Sequence, residues 1–167
     1  MGADEHRKKA LKSVGCAVIT VSDTRTEQTD DSGKTIIAIL RGHGHSVDGY
    51  KIVKDDLELI QGALREFMEN PKIQAIVLNG GTGVTSRDNT IEAIGGFKEK
   101  ELPGFGELFR SLSYQEIGAA AMLSRAFAFV SEKKVVFALP GSTAAVKLAT
   151  ENLIAHELGH IVSEVNR

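Results

Sequence analysis

Ala75-Ile76-Val77-Leu78-Asn79-Gly80-Gly81-Thr82-Gly83 is the stretch whose reading settles the fold class. Its first four residues are apolar without interruption, the mark of a strand covered on both faces in a parallel sheet. The chain then passes directly into a glycine-rich loop. Such a loop lets backbone N–H groups face a ligand closely and removes side chains that would block a phosphate or a planar ring. Residues 14–21 (VGCAVITV) repeat the first half of the pattern, an almost unbroken β-branched run followed by polar Ser22-Asp23-Thr24.

Outward from these two runs, helix and strand signals alternate. Thr35, Ile36, Ile37, Ile39 and Leu40 predict a helix, capped by Asp31 or Ser32 and ended by Gly42 and Gly44. Residues 46–53 predict a second strand. Asp56 reads as an N-cap, because Leu57, Ile60, Leu64 and Phe67 recur at helical spacing after it. A short helix is expected over 90–94, another from the Pro103-Gly104-Phe105-Gly106 turn through Leu112, and a helical segment over 118–123. Residues 126–130 and 135–139 read as strands around a Glu132-Lys133-Lys134 turn, paired as a hairpin. Pro140-Gly141-Ser142 then leads into a long final helix ending near Val162. This alternation predicts a doubly wound α/β domain over 13–167, preceded by a solvated tail over 1–12 that has at most a helical turn. The 167 residues suit a single core.

In open sheets of this kind ligands bind beyond the carboxyl ends of the strands. Three loops fall there: Ser22-Asp23-Thr24, residues 79–83 and Pro140-Gly141-Ser142. Shortly after the glycine loop comes Asp88, which has two readings. It caps the helix starting near Thr90, or it holds a metal beside phosphates cradled by the glycines.

Composition removes several function classes. Hydrophobic residues make up 42% and charged residues 25%, an ordinary globular balance, and the net charge of −2 lacks the basic surplus of a nucleic-acid binder. The lone cysteine, Cys16, excludes an internal disulfide or a multi-cysteine metal site, and its apolar surroundings predict a buried structural thiol. No run is long enough to span a bilayer. The charged start has no apolar segment behind it, and His6 stands where a myristoylation signal needs Ser or Thr. A cytoplasmic protein with neither membrane nor nucleic acid as partner is expected.

Two motif matches are read as decoys. Ser32-Gly33-Lys34-Thr35 resembles the tail of a phosphate-binding loop, but Gln28 stands where that pattern needs glycine, so it is read as a helix start. His156-Glu157-Leu158-Gly159-His160 matches a zinc-protease pattern letter for letter. Gly159 weakens the helix where rigid ligand spacing is wanted. Leu153, Ile154, Leu158, Ile161 and Val162 form a stripe that a docked terminal helix explains, so no zinc is expected.

Asn79-Gly80-Gly81-Thr82-Gly83, Arg87-Asp88, Pro103-Gly104-Phe105-Gly106-Glu107, Leu123-Ser124-Arg125 and Leu139-Pro140-Gly141-Ser142, in this order, resemble the molybdopterin-binding MoaB/MogA family over residues 14–162. The resemblance implies a three-layer α/β/α fold with a mostly parallel sheet, assembly into trimers or hexamers, and binding of molybdopterin. Its adenylyltransferase members use Mg²⁺ and ATP to join AMP to molybdopterin, releasing pyrophosphate and passing adenylyl-molybdopterin to a molybdenum insertase. Two aspartates that matter there match Asp55 and Asp88, the expected catalytic and metal-binding carboxylates. Mg²⁺ suits that role, since it needs only one or two carboxylates beside substrate phosphates. Gly80, Gly81, Thr82, Gly83, Ser124, Pro140, Gly141 and Ser142 are expected to hold phosphates or the pterin, and Ser22, Asp23 and Thr24 the nucleotide. Arg125 has three readings: a subunit interface, a surface ion pair or an anion. Lys54 and Asn79 depart from the usual proline and threonine-like residue. The alternative function is a non-catalytic pterin-binding or scaffold protein of the same pathway. A nicotinamide-nucleotide hydrolase of similar fold carries paired aspartates where this chain has Arg87-Asp88-Asn89.

Overall fold

A computed structural model of the protein describes residues 10–167. The first nine residues of the expected tail, with its helical turn, lie outside the described residues. The chain runs β1 (Gly15–Val21), α1 (Asp31–Gly42), β2 (Ser46–Val53), α2 (Leu57–Glu69), β3 (Ala75–Asn79), α3 (Thr90–Ile94), β4 (Lys100–Glu101), α4 (Pro103–Ile117), a 3₁₀ segment (Gly118–Leu123), β5 (Phe127–Ser131), β6 (Lys134–Leu139), α5 (Thr143–Ala149), a π turn (Thr150–Ile154) and α6 (Ala155–Val165). The sheet order is β2-β1-β3-β6-β5-β4. The first four strands in that order are parallel, and β5 and β4 extend the sheet in antiparallel pairing.

Alternation along the strands divides the core between two faces. Cys16, Val18 and Val77 pack with Ile36, Leu40, Phe109, Val146 and Leu158 on one side. Ala17, Ile19 and Ile76 pack with Ile60, Leu64, Phe67 and Ile94 on the other. Each fully buried Leu, Ile or Phe contributes about 1.5–3 kcal/mol. Helices thus cover both faces, giving three α/β/α layers. Burial pushes the Cys16 thiol up to about 12, with Asp48 adding to it. Such a thiol stays protonated and is no nucleophile.

The structure corrects several element assignments, among them α4, which runs on to Ile117 past the expected end at Leu112. Helix α1 begins at Asp31 and its cap is Asp30, one residue before the earlier of the two expected caps; Asp30 Oδ1 accepts from Gly33 N at 2.9 Å. Ser32 is not the cap, because it lies inside the helix, where its hydroxyl donates to Gly141 O at 2.7 Å. The two-residue strand β4 was not expected, for both of its residues are charged and exposed. Residues 118–123 form a 3₁₀ segment rather than an α-helix. The final helix is divided by the π turn into α5 and α6. The hairpin is confirmed, with Glu132 (φ 48°) and Lys133 (φ 62°) both in the left-handed region that a tight two-residue turn demands.

Candidate functional site

The parallel strands β1, β3 and β6 end on one edge, and their following loops meet there. Gly80 takes φ +95°, and a Cβ at this position would run into Val21 O, so the β3 loop passes against the end of β1 only as glycine. Gly80 N donates to Leu139 O at 3.0 Å, and a Cβ on Gly141 would stand 3.1 Å from Gly80 Cα. Thr90 closes the turn from behind: its Oγ1 donates to Gly80 O (2.7 Å) and its N to Gly81 O (3.0 Å). Asn79 points inward, donating through Nδ2 to Thr20 Oγ1 at 2.9 Å and tying β3 to β1.

The loops after β3 and β6 bound a cavity of about 290 Å³, lined by Gly81, Thr82, Gly83, Asp88, Ser124, Pro140, Gly141 and Ser142 from the predicted set. Sequence reasoning missed the remaining wall, Phe109, Ser113 and Ile117 of α4 together with Leu123 and Ala145. Ser113 carried the available signal, a polar residue on the helix face that also presents Phe109; it is 7% exposed. Ser142 both lines the cavity and caps α5, accepting from Ala145 N at 3.2 Å. A larger hollow of about 530 Å³ lies between the start of α4 and α6, lined by apolar residues such as Leu102, Phe105, Leu153 and Ile161. It contains none of the strand-end loops. The smaller cavity, where polar groups converge, is the better ligand site.

Ser22, Asp23, Thr24, Asp55 and Gly80 do not line the cavity. Ser22, Asp23, Thr24 and Asp55 stand at the ends of β1 and β2, on the other side of the glycine loop, and Gly80 is buried within the loop itself. Ser22 N donates to Val53 O (2.8 Å), holding the β1 and β2 ends together, and its Oγ accepts from Thr24 N (3.3 Å) and Arg25 N (3.1 Å). Asp23 Oδ1 accepts from Asp55 N at 3.0 Å, and its Oδ2 pairs with Arg87. Those two contacts, the Asp55 amide first, hold the Asp23 carboxyl below its ordinary value.

The two candidate catalytic aspartates flank the loop. A Cβ on Gly81 would lie 2.8 Å from Asp55 Oδ2, and one on Gly83 would lie 2.8 Å from Asp88 Oδ2. Asp55 is half-buried, and desolvation raises its pKa; hydrogen bonds from Asn89 oppose the rise, while Asp88 and Asp23 add to it. Asp88 shifts downward, chiefly because Thr85 Oγ1 donates to its Oδ2 at 2.7 Å; Thr85 N also donates, at 2.9 Å. Asp88 is not the helix cap. That place belongs to Asn89, which makes no side-chain capping bond. Asp56 does cap α2, accepting from Leu59 N at 3.0 Å, which leaves Asp55 available to the site. The donor set facing the loop is therefore carboxylate oxygen on both sides, the kind that a hard divalent cation prefers.

A family described as "Probable molybdopterin binding domain" matches residues 17–160. The chain belongs to this family, the MoaB/MogA proteins of molybdenum cofactor biosynthesis. It is 50% identical to the molybdenum cofactor biosynthesis protein B of Bacillus cereus, over 100% of this chain and 99% of that one. A crystal structure of a molybdenum cofactor biosynthesis protein B superposes with a TM-score of 0.91 at 51% identity, covering 95% of this chain and 99% of the other. The tungsten cofactor synthesizing protein MoaB of Pyrococcus furiosus gives a TM-score of 0.85 at 41% identity, covering 95% and 100%.

The MoaB/MogA motifs acquire physical roles in this chain. Phe105 is core, and Gly106 lets α4 pass Ala126 O, which a Cβ would approach to 2.7 Å. Arg125 forms an internal bridge, with Nε donating to Gly83 O at 2.7 Å and a pairing with Glu92. The two decoy motifs are occupied by structural work. Ser32 holds Gly141, and Lys34 Nζ donates to Gln28 O at 2.7 Å. His156 meets the His43 ring edge-on at 4.6 Å, and His160 Nδ1 lies 3.1 Å from Glu157 Oε2. Gly159 admits Leu11 O, which a Cβ would displace. No described helix is long and apolar enough to cross a membrane.

Proposed function

We propose that this protein transfers AMP from ATP to the terminal phosphate of molybdopterin, releasing pyrophosphate. The observation that carries the reading is the placing of Asp55 and Asp88 on either side of one glycine loop, each with an oxygen aimed at it. Molybdopterin takes the cavity, between the Thr82-Gly83 backbone and the apolar wall of Phe109, Ile117 and Leu123. The nucleotide takes the β1–β2 side, where Ser22, Asp23 and Thr24 follow β1. The two phosphates to be joined then meet across the glycines.

Phosphoryl and nucleotidyl transfer need positioning and charge neutralisation more than covalent help. Asp55 and Asp88 would hold Mg²⁺, which supplies charge neutralisation for the triphosphate. The chain's own groups do the rest. Loop amides orient the phosphates, the apolar wall excludes water from the pterin side, and Arg87, 74% exposed, offers its charge to the leaving pyrophosphate. Ser124 and Ser142 hold pterin or phosphate oxygens from the cavity walls.

Leu108, Ile117, Met122 and Leu123 leave an apolar surface exposed along α4 and the 3₁₀ segment, which supports assembly into trimers or hexamers. The product passes to a molybdenum insertase, and the reaction is placed in the cytoplasm. Incubating the protein with molybdopterin, Mg²⁺ and ATP tests the assignment. Adenylyl-molybdopterin and pyrophosphate should appear in equal amounts. Tight molybdopterin binding without that product would make the protein a non-catalytic carrier, and a monomer by light scattering at micromolar concentration would remove the assembly.

A further inference from the structure

Arg125 makes more contacts with the glycine loop than a surface ion pair requires. Its backbone N donates to Thr82 O at 3.3 Å and its Nε to Gly83 O at 2.7 Å. Nη2 donates to Asp88 O and to Glu92 Oε2, each at 3.3 Å, while Nη1 pairs with Glu92 Oε1. Arg125 therefore holds both ends of the 82–88 loop, which carries Asp88. It does so from the segment that supplies Leu123 and Ser124 to the facing wall of the cavity. Glu92, in the first turn of α3, fixes the guanidinium from the far side. Surface ion pairs add little stability, about 0–1 kcal/mol. The use of a rigid planar fork on main-chain carbonyls points instead to geometry, because a lysine ammonium cannot address the same acceptors at fixed angles.

We propose that Arg125, braced by Glu92, is a positioning residue that sets the width of the cleft between the glycine loop and Leu123-Ser124 and fixes Asp88 for AMP transfer. This rests on the adenylyl-transfer reading for its kinetic consequence, but the clamp has consequences of its own.

The test compares Arg125→Lys and Glu92→Gln in the full chain, with Glu66→Gln at the distant Lys51 pair as a control. In Arg125→Lys the kcat for AMP transfer should fall on the order of a hundredfold, the scale of misplacing a reacting group by an ångström. The Mg²⁺ concentration for half-maximal rate should rise severalfold. In the ligand-free protein the amides of residues 83–88 should exchange hydrogen about tenfold faster while the core strands keep their protection. Glu92→Gln should move every readout the same way by less, and Glu66→Gln should move none. If the wild type transfers no AMP, the transfer reading fails, and hydrogen exchange together with molybdopterin titration still judges the clamp. Unchanged exchange over 83–88 with unchanged molybdopterin affinity in Arg125→Lys would overturn it. So would a uniform loss of protection through the whole fold, which marks a merely structural residue.

Discussion

The two sides of the glycine loop hold their carboxylates in opposite ways. On the cavity side, Asp88 accepts from the backbone and hydroxyl of Thr85 and shifts toward ionisation. On the β1–β2 side, Asp55 is desolvated and has Asp88 and Asp23 as like-charged neighbours, so its ionised form is disfavoured despite the Asn89 bonds. The fold stabilises Asp88 as a charge before any ligand arrives. It holds Asp55 at a disadvantage that the proposed Mg²⁺ would relieve. On that proposal Asp88 anchors the ion and Asp55 responds to it.

The largest expected effect breaks the comparison directly. Asp55→Asn and Asp88→Asn should each lower AMP transfer by about a hundredfold or more, the scale of removing one preorganised electrostatic contact. Their thermal midpoints should move in opposite directions. Asparagine at 55 removes a desolvated charge while its amide oxygen still accepts from Asn89 N, so the midpoint rises. Asparagine at 88 keeps an oxygen for the Thr85 donors but loses the charge that those bonds stabilise, so the midpoint falls. Activity assays beside thermal melts decide it, and parallel shifts would erase the distinction.

Glycine substitutions come next. Gly81→Val should abolish molybdopterin binding with a stability loss of about 1–3 kcal/mol, because φ is +65° and the new Cβ meets Thr90 Oγ1 and Asp55. Gly83→Ala carries no such backbone strain; its Cβ would press on Asp88 Oδ2. It should weaken transfer more than it weakens the fold. Ligand titration and thermal unfolding of both variants check the contrast, and equal stability losses would contradict it.

The pH profile sharpens the same comparison. Asp55 has a raised folded pKa, so its ionised form weakens the fold above that pKa, and the penalty disappears as pH falls below the unfolded value. Asp88 has a lowered one, so its stabilisation is present above the unfolded value and is lost only as pH falls through the depressed folded pKa. At Mg²⁺ concentrations below saturation, where the cation does not offset that rise, the acid limb of AMP transfer should therefore follow Asp55, at a pH above the ordinary aspartate range. Residual activity of Asp88→Asn should keep that limb, and that of Asp55→Asn should lose it. Rate measurements across the acid range test this.

Much of this arrangement was legible from residues alone, and the exceptions have physical causes. β1 and β3 announced themselves because both of their faces are buried and apolar residues fill nearly every position, Thr20 and Asn79 excepted. β4 could not be read, since Lys100 and Glu101 pair through backbone groups that leave no side-chain pattern. The π turn was hidden because an added residue shifts the register without interrupting the apolar stripe. The strand-end loops were found by the rule that ligands sit at carboxyl edges. The α4 wall of the cavity was not, because which helix closes over those loops depends on tertiary packing. Asp30 was overlooked for a related reason: its burial becomes visible only when Tyr50 of β2 reaches its Oδ2 at 2.5 Å.

The smallest expected effect separates the charges on these loops from the framework beneath them. Ser32 is fully buried at the start of α1 and donates to Gly141 O at 2.7 Å, which ties the helix to the third site loop. Ser32→Ala deletes one neutral hydrogen bond and leaves a carbonyl without that donor, a loss of about 1 kcal/mol. In a chain of this size that lowers the thermal midpoint by roughly 2–4 °C. Gly141 lines the proposed molybdopterin cavity but carries no charge. AMP transfer by Ser32→Ala should therefore stay within about threefold of wild type, because Asp55 and Asp88 keep their places and electrostatic terms dominate this chemistry. A transfer loss as large as that of either aspartate variant, in a protein still folded at the assay temperature, would show that loop placement outweighs carboxylate charge. The division of labour between Asp88 and Asp55 would then be secondary to the scaffold that holds Gly141.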